Sequence, residues 1–122
     1  FCVIPSEVDL DAKLAALRCV EIIKDYNSYG YKVDYGIAFN KVEFTKGKAS
    51  AQMRVMKDEM INKGVEEDKF LGDIRYSTTV STSKNEGLLL SELENKYTKN
   101  IMEDFRSVAN NAFKRIESEV TV

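Results

Sequence analysis

Residues 60–70 read MINKGVEEDKF. An apolar stripe at helical spacing, Met53, Met56 and Met60 with Ile61 alongside, runs into this stretch and stops at Lys63. Gly64 comes next, and glycine is the residue with which a helix leaves through the left-handed region that penalises a Cβ. Apolar residues restart at Val65 and Phe70. The stretch therefore predicts a helix over roughly 49–63, a tight corner, and a strand beyond it. A methionine stripe of this kind is read first as core and only second as an adaptable binding surface.

The same alternation extends toward the amino end. In YKVDYGIAF (31–39), Tyr31, Val33, Tyr35, Ile37 and Phe39 occupy every second position, which predicts a strand with one face of large residues. Val42 and Phe44 then fall on the other parity, so a turn or bulge is expected at Asn40–Lys41. TKGK (45–48) reads as a loop. FCVIP (1–5) reads as a short strand stopped by Pro5. SEVD (6–9) follows as a capping box, with Ser6 and Asp9 satisfying the free N–H groups of a helix start. That helix is expected to run to about Tyr26 and to bury Leu10, Leu14, Leu17, Val20 and Ile23. NSYG (27–30) ends it.

Toward the carboxyl end, Ile74, Tyr76, Thr78 and Val80 alternate as in a strand, and TSKNEG (82–87) is a polar loop. Leu93, Tyr97, Ile101, Phe105, Val108 and Ala112 then recur at helical spacing, with Ser91 and Glu94 placed for a capping box. In RIESEVTV (115–122) the Val-Thr-Val ending favours a final strand over an extension of the helix. The expected order is β-α-β-α-β-α-β. This is an α/β fold (an α+β sandwich) with a mixed sheet covered by helices. A chain of 122 residues fits it in one domain, 1–122.

Composition narrows the function classes. Apolar residues at 43% and charged residues at 31% are ordinary for a folded soluble chain. The net charge of −2, with both signs interspersed, argues against nucleic acid, whose phosphates call for a basic patch. No apolar run approaches the ~20 residues of a membrane-spanning helix. The chain starts at Phe1 rather than Met, so a processed or trimmed amino end is expected, with a signal peptide or neighbouring domain before it. Cys2 and Cys19 are too few for a disulfide framework. Cys19 is expected as a buried free thiol, and a Cys2–Cys19 disulfide is the alternative, which would imply an oxidising compartment.

Little catalytic chemistry is visible. The chain has no histidine, so it lacks the commonest neutral-pH base and metal ligand. KGKAS (46–50) lacks the glycine spacing and the Lys-Ser/Thr ending of a phosphate loop. Asp34, Glu43 and Lys46 loosely suggest a metal-dependent nuclease, but a solvated strand face is the preferred reading. GVEED (64–68) lacks calcium-loop spacing and reads as a solvated turn. Aromatic residues on the 31–39 strand read as core rather than base-stacking groups. No catalytic residue, metal site or cofactor is assigned, and the chain is expected not to be an enzyme.

The run SAQMRVMKDEMINKGVEEDKF (50–70) resembles the second helix and following turn of the OmpA-like domain, the peptidoglycan-binding domain of outer-membrane protein A and of flagellar stator proteins. SEVDLDAKLAAL, YKVDYG, VSTSKNEG and KRIESEVTV are similar to its first helix, second strand, polar loop and final strand. The resemblance implies a binding or scaffolding module of a bacterial cell-envelope assembly, periplasmic, with protein partners. The family grips its ligand with an Asp after the second strand and an Arg at the start of the second helix, one charge for each end of a zwitterion. Here Asn40 stands in the loop and Gln52 at the Arg position, with Arg54 two residues on. Asn40, Gln52 and Arg54 are therefore the candidate ligand-binding residues, and the standard Asp/Arg pair is absent. The alternative is a structural subunit of a larger assembly with an unrelated α+β fold. It would dock through Leu93, Tyr97, Ile101 and Phe105 of the long last helix.

Overall fold

A computed structural model of the chain describes residues 1–45, 48–77, 84–87, 89 and 96–120. The elements are β1 (Cys2–Ser6), α1 (Leu10–Ser28), β2 (Tyr35–Val42), β3 (Phe44–Thr45), β4 (Lys48–Ala49), α2 (Ala51–Asn62), a 3-10 turn (Glu67–Lys69), β5 (Phe70–Arg75) and α3 (Lys96–Val120). The fold is α/β. Its main sheet has three strands in the order β1-β2-β5. Both pairings are parallel, rather than mixed as expected from the sequence. β3 and β4 form a separate antiparallel pair where a loop was expected. Two successive parallel crossovers of one hand place their helices on the same face of a sheet, and α1 and α2 do share one face here.

That face holds the main core. Ile4 from β1 and Tyr35, Ile37 and Phe39 from β2 meet Ala16, Val20 and Ile23 of α1 and the three methionines of α2. Met53, Met56 and Met60 are all buried, so the stripe is core. The corner read from MINKGVEEDKF also forms. Gly64 adopts φ +101°, its N–H donates to the Ile61 carbonyl, and the Val65 N–H donates to the Met60 carbonyl. This is the left-handed helix stop that glycine permits, and buried Val65 closes it. On α1 the sequence reading was half right. Val20 and Ile23 face the core, whereas Leu10 (63% exposed) and Leu14 (55%) lie on an outward stripe with Ile22 and Tyr26. The helix carries apolar residues on two sides, and spacing alone did not say which side the sheet would take. Asp9, not Ser6, caps α1: its Oδ1 accepts from the Ala12 N–H at 2.7 Å, while Ser6 ends β1.

The other face is covered only in part. Leu71 of β5, with Ile101 and Ala112 of α3, is buried outside the main core cluster. Gly36 lies directly beneath Leu71, whose Cγ would be 2.5 Å from any Cβ added there. The expected bulge is present, because the β2–β5 register shifts between Phe39 and Val42 and Lys41 adopts φ +53°.

Two expectations at the carboxyl end are corrected. The third strand starts at Phe70 and ends at Arg75, so it does not continue through Tyr76; Thr78 and Val80 lie outside the described residues. Residues 115–120 continue α3 instead of forming a returning strand. The reason is visible on β5. The Tyr76 N–H donates to Val42 of β2, so the preceding Arg75 N–H points to the outer edge. There it donates to Asp104 of α3, and Asn111 donates to the Leu71 carbonyl. The edge a last strand would use is thus occupied by side chains of a helix. Both cysteines are free and Cys19 is exposed, against the expected buried thiol.

Candidate functional site

In open parallel α/β sheets ligands settle outside the carboxyl ends of the strands, where loops and helix N-termini converge. Here that rim is built from the Ser6–Asp9 turn after β1, the Asn40–Glu43 segment around the bulge, and the start of α2. A cleft of about 170 Å³ opens between them, lined by Glu7, Asp9, Lys41, Glu43, Ser50 and Gln52. Lys41 pairs with Glu7 across its mouth at 3.0 Å. The bulge makes this contact possible, since it turns Lys41 out of the strand's alternation. Ser50 caps α2 by accepting from the Met53 N–H, and its own N–H donates to the Glu43 carbonyl at 2.9 Å. Both helices therefore present the positive end of their dipoles to a rim that carries three carboxylates. These carboxylates do not form a cation cage; among the described residues no group of three or more acidic, histidine or cysteine side chains is placed to hold a metal ion.

An apolar groove of about 460 Å³ adjoins the cleft through Asp9 and Gln52, floored by Val8, Leu10, Val55 and Met56. It is bounded by the Lys13–Glu59 ion pair that ties α1 to α2. Gln52 stands where the two spaces meet. Asn40, exposed at the carboxyl end of β2, accepts from the Lys41 N–H at 2.9 Å. Arg54 is elsewhere: two helical residues separate it from Gln52 by about 200°, and it lines a different depression with Lys57, Asp58 and Glu67. Gln52 thus lines the cleft, while Asn40 lines neither space and Arg54 lies in the other depression. Of the residues expected to dock a partner, Ile101 is buried against the sheet and Phe105 is exposed. Tyr97 lies within α3, but its side chain and the whole of Leu93 are outside the described residues.

The sequence reading missed a charged node at the opposite end of the strands. Asp34, just before β2, was read as part of a solvated strand face. Its carboxylate accepts from Lys69 Nζ at 2.7 Å and from Arg115 Nη2 at 2.7 and 2.8 Å, and the Tyr35 N–H donates to it at 2.8 Å. Burial pushes the Asp34 carboxyl up, but the hydrogen bonds from Lys69, Arg115 and Tyr35 outweigh it and hold the group below its ordinary 3.8. The node staples α3 to the amino end of the sheet. It also removes the nuclease-like grouping, because a strand of eight residues, about 25 Å long, separates Asp34 from Glu43. Lys46 lies outside the described residues.

Fold and rim define a parallel α/β protein with a polar cleft at the carboxyl edge of its sheet. No family model and no curated protein matches the chain. Among solved structures, a variant of Cyanothece McdA in complex with ATP shares the fold, with a TM-score of 0.67 and 18% identity. The similarity covers 90% of this chain and 42% of McdA, so the chain spans less than half of that protein's length. No helix among the described residues is long and apolar enough to cross a membrane.

Proposed function

We propose that this chain forms one side of a nucleotide site, the side that receives the base and ribose, in an α/β nucleotide-binding unit. The observation that carries the reading is the shared fold with McdA, whose structure is an ATP complex, over 90% of this chain. The rim chemistry agrees with it. Gln52 offers both donors and an acceptor, as a heterocycle edge requires, and Glu7, Asp9 and Glu43 offer acceptors for ribose hydroxyls. Those carboxylates repel phosphates, so the triphosphate points away from them, toward groups outside this chain. The cleft of about 170 Å³ also suits one part of a ligand, since sites for whole drug-sized ligands run to about 300–1,000 Å³. On this reading the chain binds and does not catalyse.

Fluorescence anisotropy of an ATP analogue labelled on its terminal phosphate tests the proposal. Weak binding that weakens further with Gln52→Ala, and not with Arg54→Ala, supports it. Binding that ignores the Gln52 substitution contradicts it.

A second reading keeps the chain as a scaffold in a bacterial envelope assembly, with protein partners. Its support is the 50–70 sequence run and the exposed apolar flank of α3. Co-sedimentation with diaminopimelate-type peptidoglycan tests it: binding that falls with Arg54→Ala favours it, and no binding by the folded chain removes the peptidoglycan part.

A further inference from the structure

α1 carries apolar residues that the core does not use. Its inward side, Ala16, Val20 and Ile23, meets the sheet. Leu10, Leu14 and Ile22 point outward, and Tyr26 (56% exposed) and Tyr29 (79%) continue the stripe to the end of the helix and past it. A helix face turned to water is normally polar, and contiguous exposed apolar side chains mark a contact surface. The seam between α1 and α2 runs beside the stripe as a furrow, where Leu14 and Leu17 meet Lys63 of α2. The aromatic end is held in place. The Asn27 side chain donates to the Val33 carbonyl at 2.9 Å and accepts from the Val33 N–H at 2.8 Å, and the Tyr26 and Tyr31 ring centroids lie 4.9 Å apart. Tyrosines fixed in advance lose little entropy on contact, which suits them as anchors.

We infer that this face pairs with a second copy of the chain, the two α1 helices lying antiparallel about a two-fold axis. Charge supplies the argument for the occupant. Arg18 stands near the middle of the outward face, Glu21 and Asp25 follow it toward the carboxyl end, and Lys63 lies across the furrow. None of these four makes an ion pair among the described residues. A helix face with its cation first and its anions after is complementary to an inverted copy of itself. Arg18 then falls between Glu21 and Asp25 of the second copy, and the axis makes that contact twice. In the same register Leu14 meets Tyr26 and Tyr29 of the second copy. The alternative register, Leu14 against Ile22, would set Arg18 against Arg18, so charge decides between them. The 19 residues of α1 make a face about 28 Å long. With the flank of α2, one interhelical spacing of about 10 Å away, it offers on the order of 600 Å² in projection. Stable interfaces bury about 800 Å² per partner, so the dimer is expected to be weak, with a micromolar Kd. The inference goes beyond the nucleotide reading and does not depend on it.

Sedimentation equilibrium of the 122-residue chain, from micromolar to millimolar concentration, tests it. A reversible dimer is expected, and Leu14→Lys should weaken it by about tenfold or more. Charge reversal then identifies the pairing. Arg18→Glu leaves this face of α1 anionic, and Glu21→Arg with Asp25→Arg leaves it cationic. Each variant alone should associate about tenfold more weakly than the parent chain, whereas an equimolar mixture of the two should form a heterodimer. All four positions are exposed, so the substitutions leave the fold in place. A chain that stays monomeric throughout overturns the inference, and the face then serves a different protein or a further part of a longer polypeptide. A dimer that ignores Leu14→Lys, or charge variants that do not associate when mixed, also overturns it, because the two copies would then meet elsewhere.

Discussion

Replacing Asp34 by Ala removes the anion on which two cations converge. A fully buried pair that loses one partner costs about 3–5 kcal/mol, whereas an exposed pair is worth about 0–1 kcal/mol. The Asp34, Lys69 and Arg115 side chains are 20%, 17% and 18% exposed, nearer the buried limit. Asp34→Ala is therefore expected to cost about 2–3 kcal/mol at neutral pH. Arg115→Met leaves Lys69 in place and should cost about 1–2 kcal/mol. Because the two share one contact, the double variant should lose less than the sum. The pH dependence has a fixed sign. The folded-state pKa of Asp34 lies below its ordinary 3.8, so its contribution is whole above that value and fades as pH falls through the folded-state value. Urea unfolding of the chain and of Asp34→Ala should differ by a constant amount down to about pH 4 and converge below it. A difference under about 0.5 kcal/mol at neutral pH would refute the claim that this node holds α3 to the sheet.

Gly36→Ala forces a Cβ to within 2.5 Å of Leu71 Cγ and should cost about 1–3 kcal/mol by urea unfolding; a neutral result would mean the β2–α3 side is loosely packed. Gly64→Ala puts a side chain at φ +101° and should cost about 1–2 kcal/mol, with the loss appearing as fraying of α2 in amide exchange. Met60→Ala should cost about 2–5 kcal/mol, because the residue is wholly buried between α2 and the sheet.

The elements on the α1/α2 side of the sheet were legible because each left a periodic signal. The stripe at Met53, Met56 and Met60, the alternation at Tyr35, Ile37 and Phe39, the parity change at Asn40–Lys41 and the stop at Gly64 all appear in the fold. The opposite face was hidden because Gly36 and Ala38 look like gaps in an alternating strand. Their smallness is what lets Leu71 sit over Gly36. Asp34 looked solvated because its partners, Lys69 and Arg115, lie far along the chain and no local pattern joins them. The carboxyl-terminal strand was misread because Val-Thr-Val carries β propensity, while the deciding fact, side chains of α3 occupying the β5 edge, is tertiary. At the rim, Gln52 was named for a different ligand; Asn40 and Arg54 were named from linear spacing that the strand's alternation and the turn of a helix undo.

The measurement that bears most directly on the nucleotide reading is a pair of heteronuclear NMR titrations of the isotope-labelled chain, one with adenosine and one with inorganic triphosphate, at millimolar concentration. The account predicts that adenosine moves the amide signals of Glu7, Asp9, Asn40, Lys41 and Gln52, and that triphosphate leaves them in place. Adenosine shifts confined to other surfaces, or none at all, would contradict it.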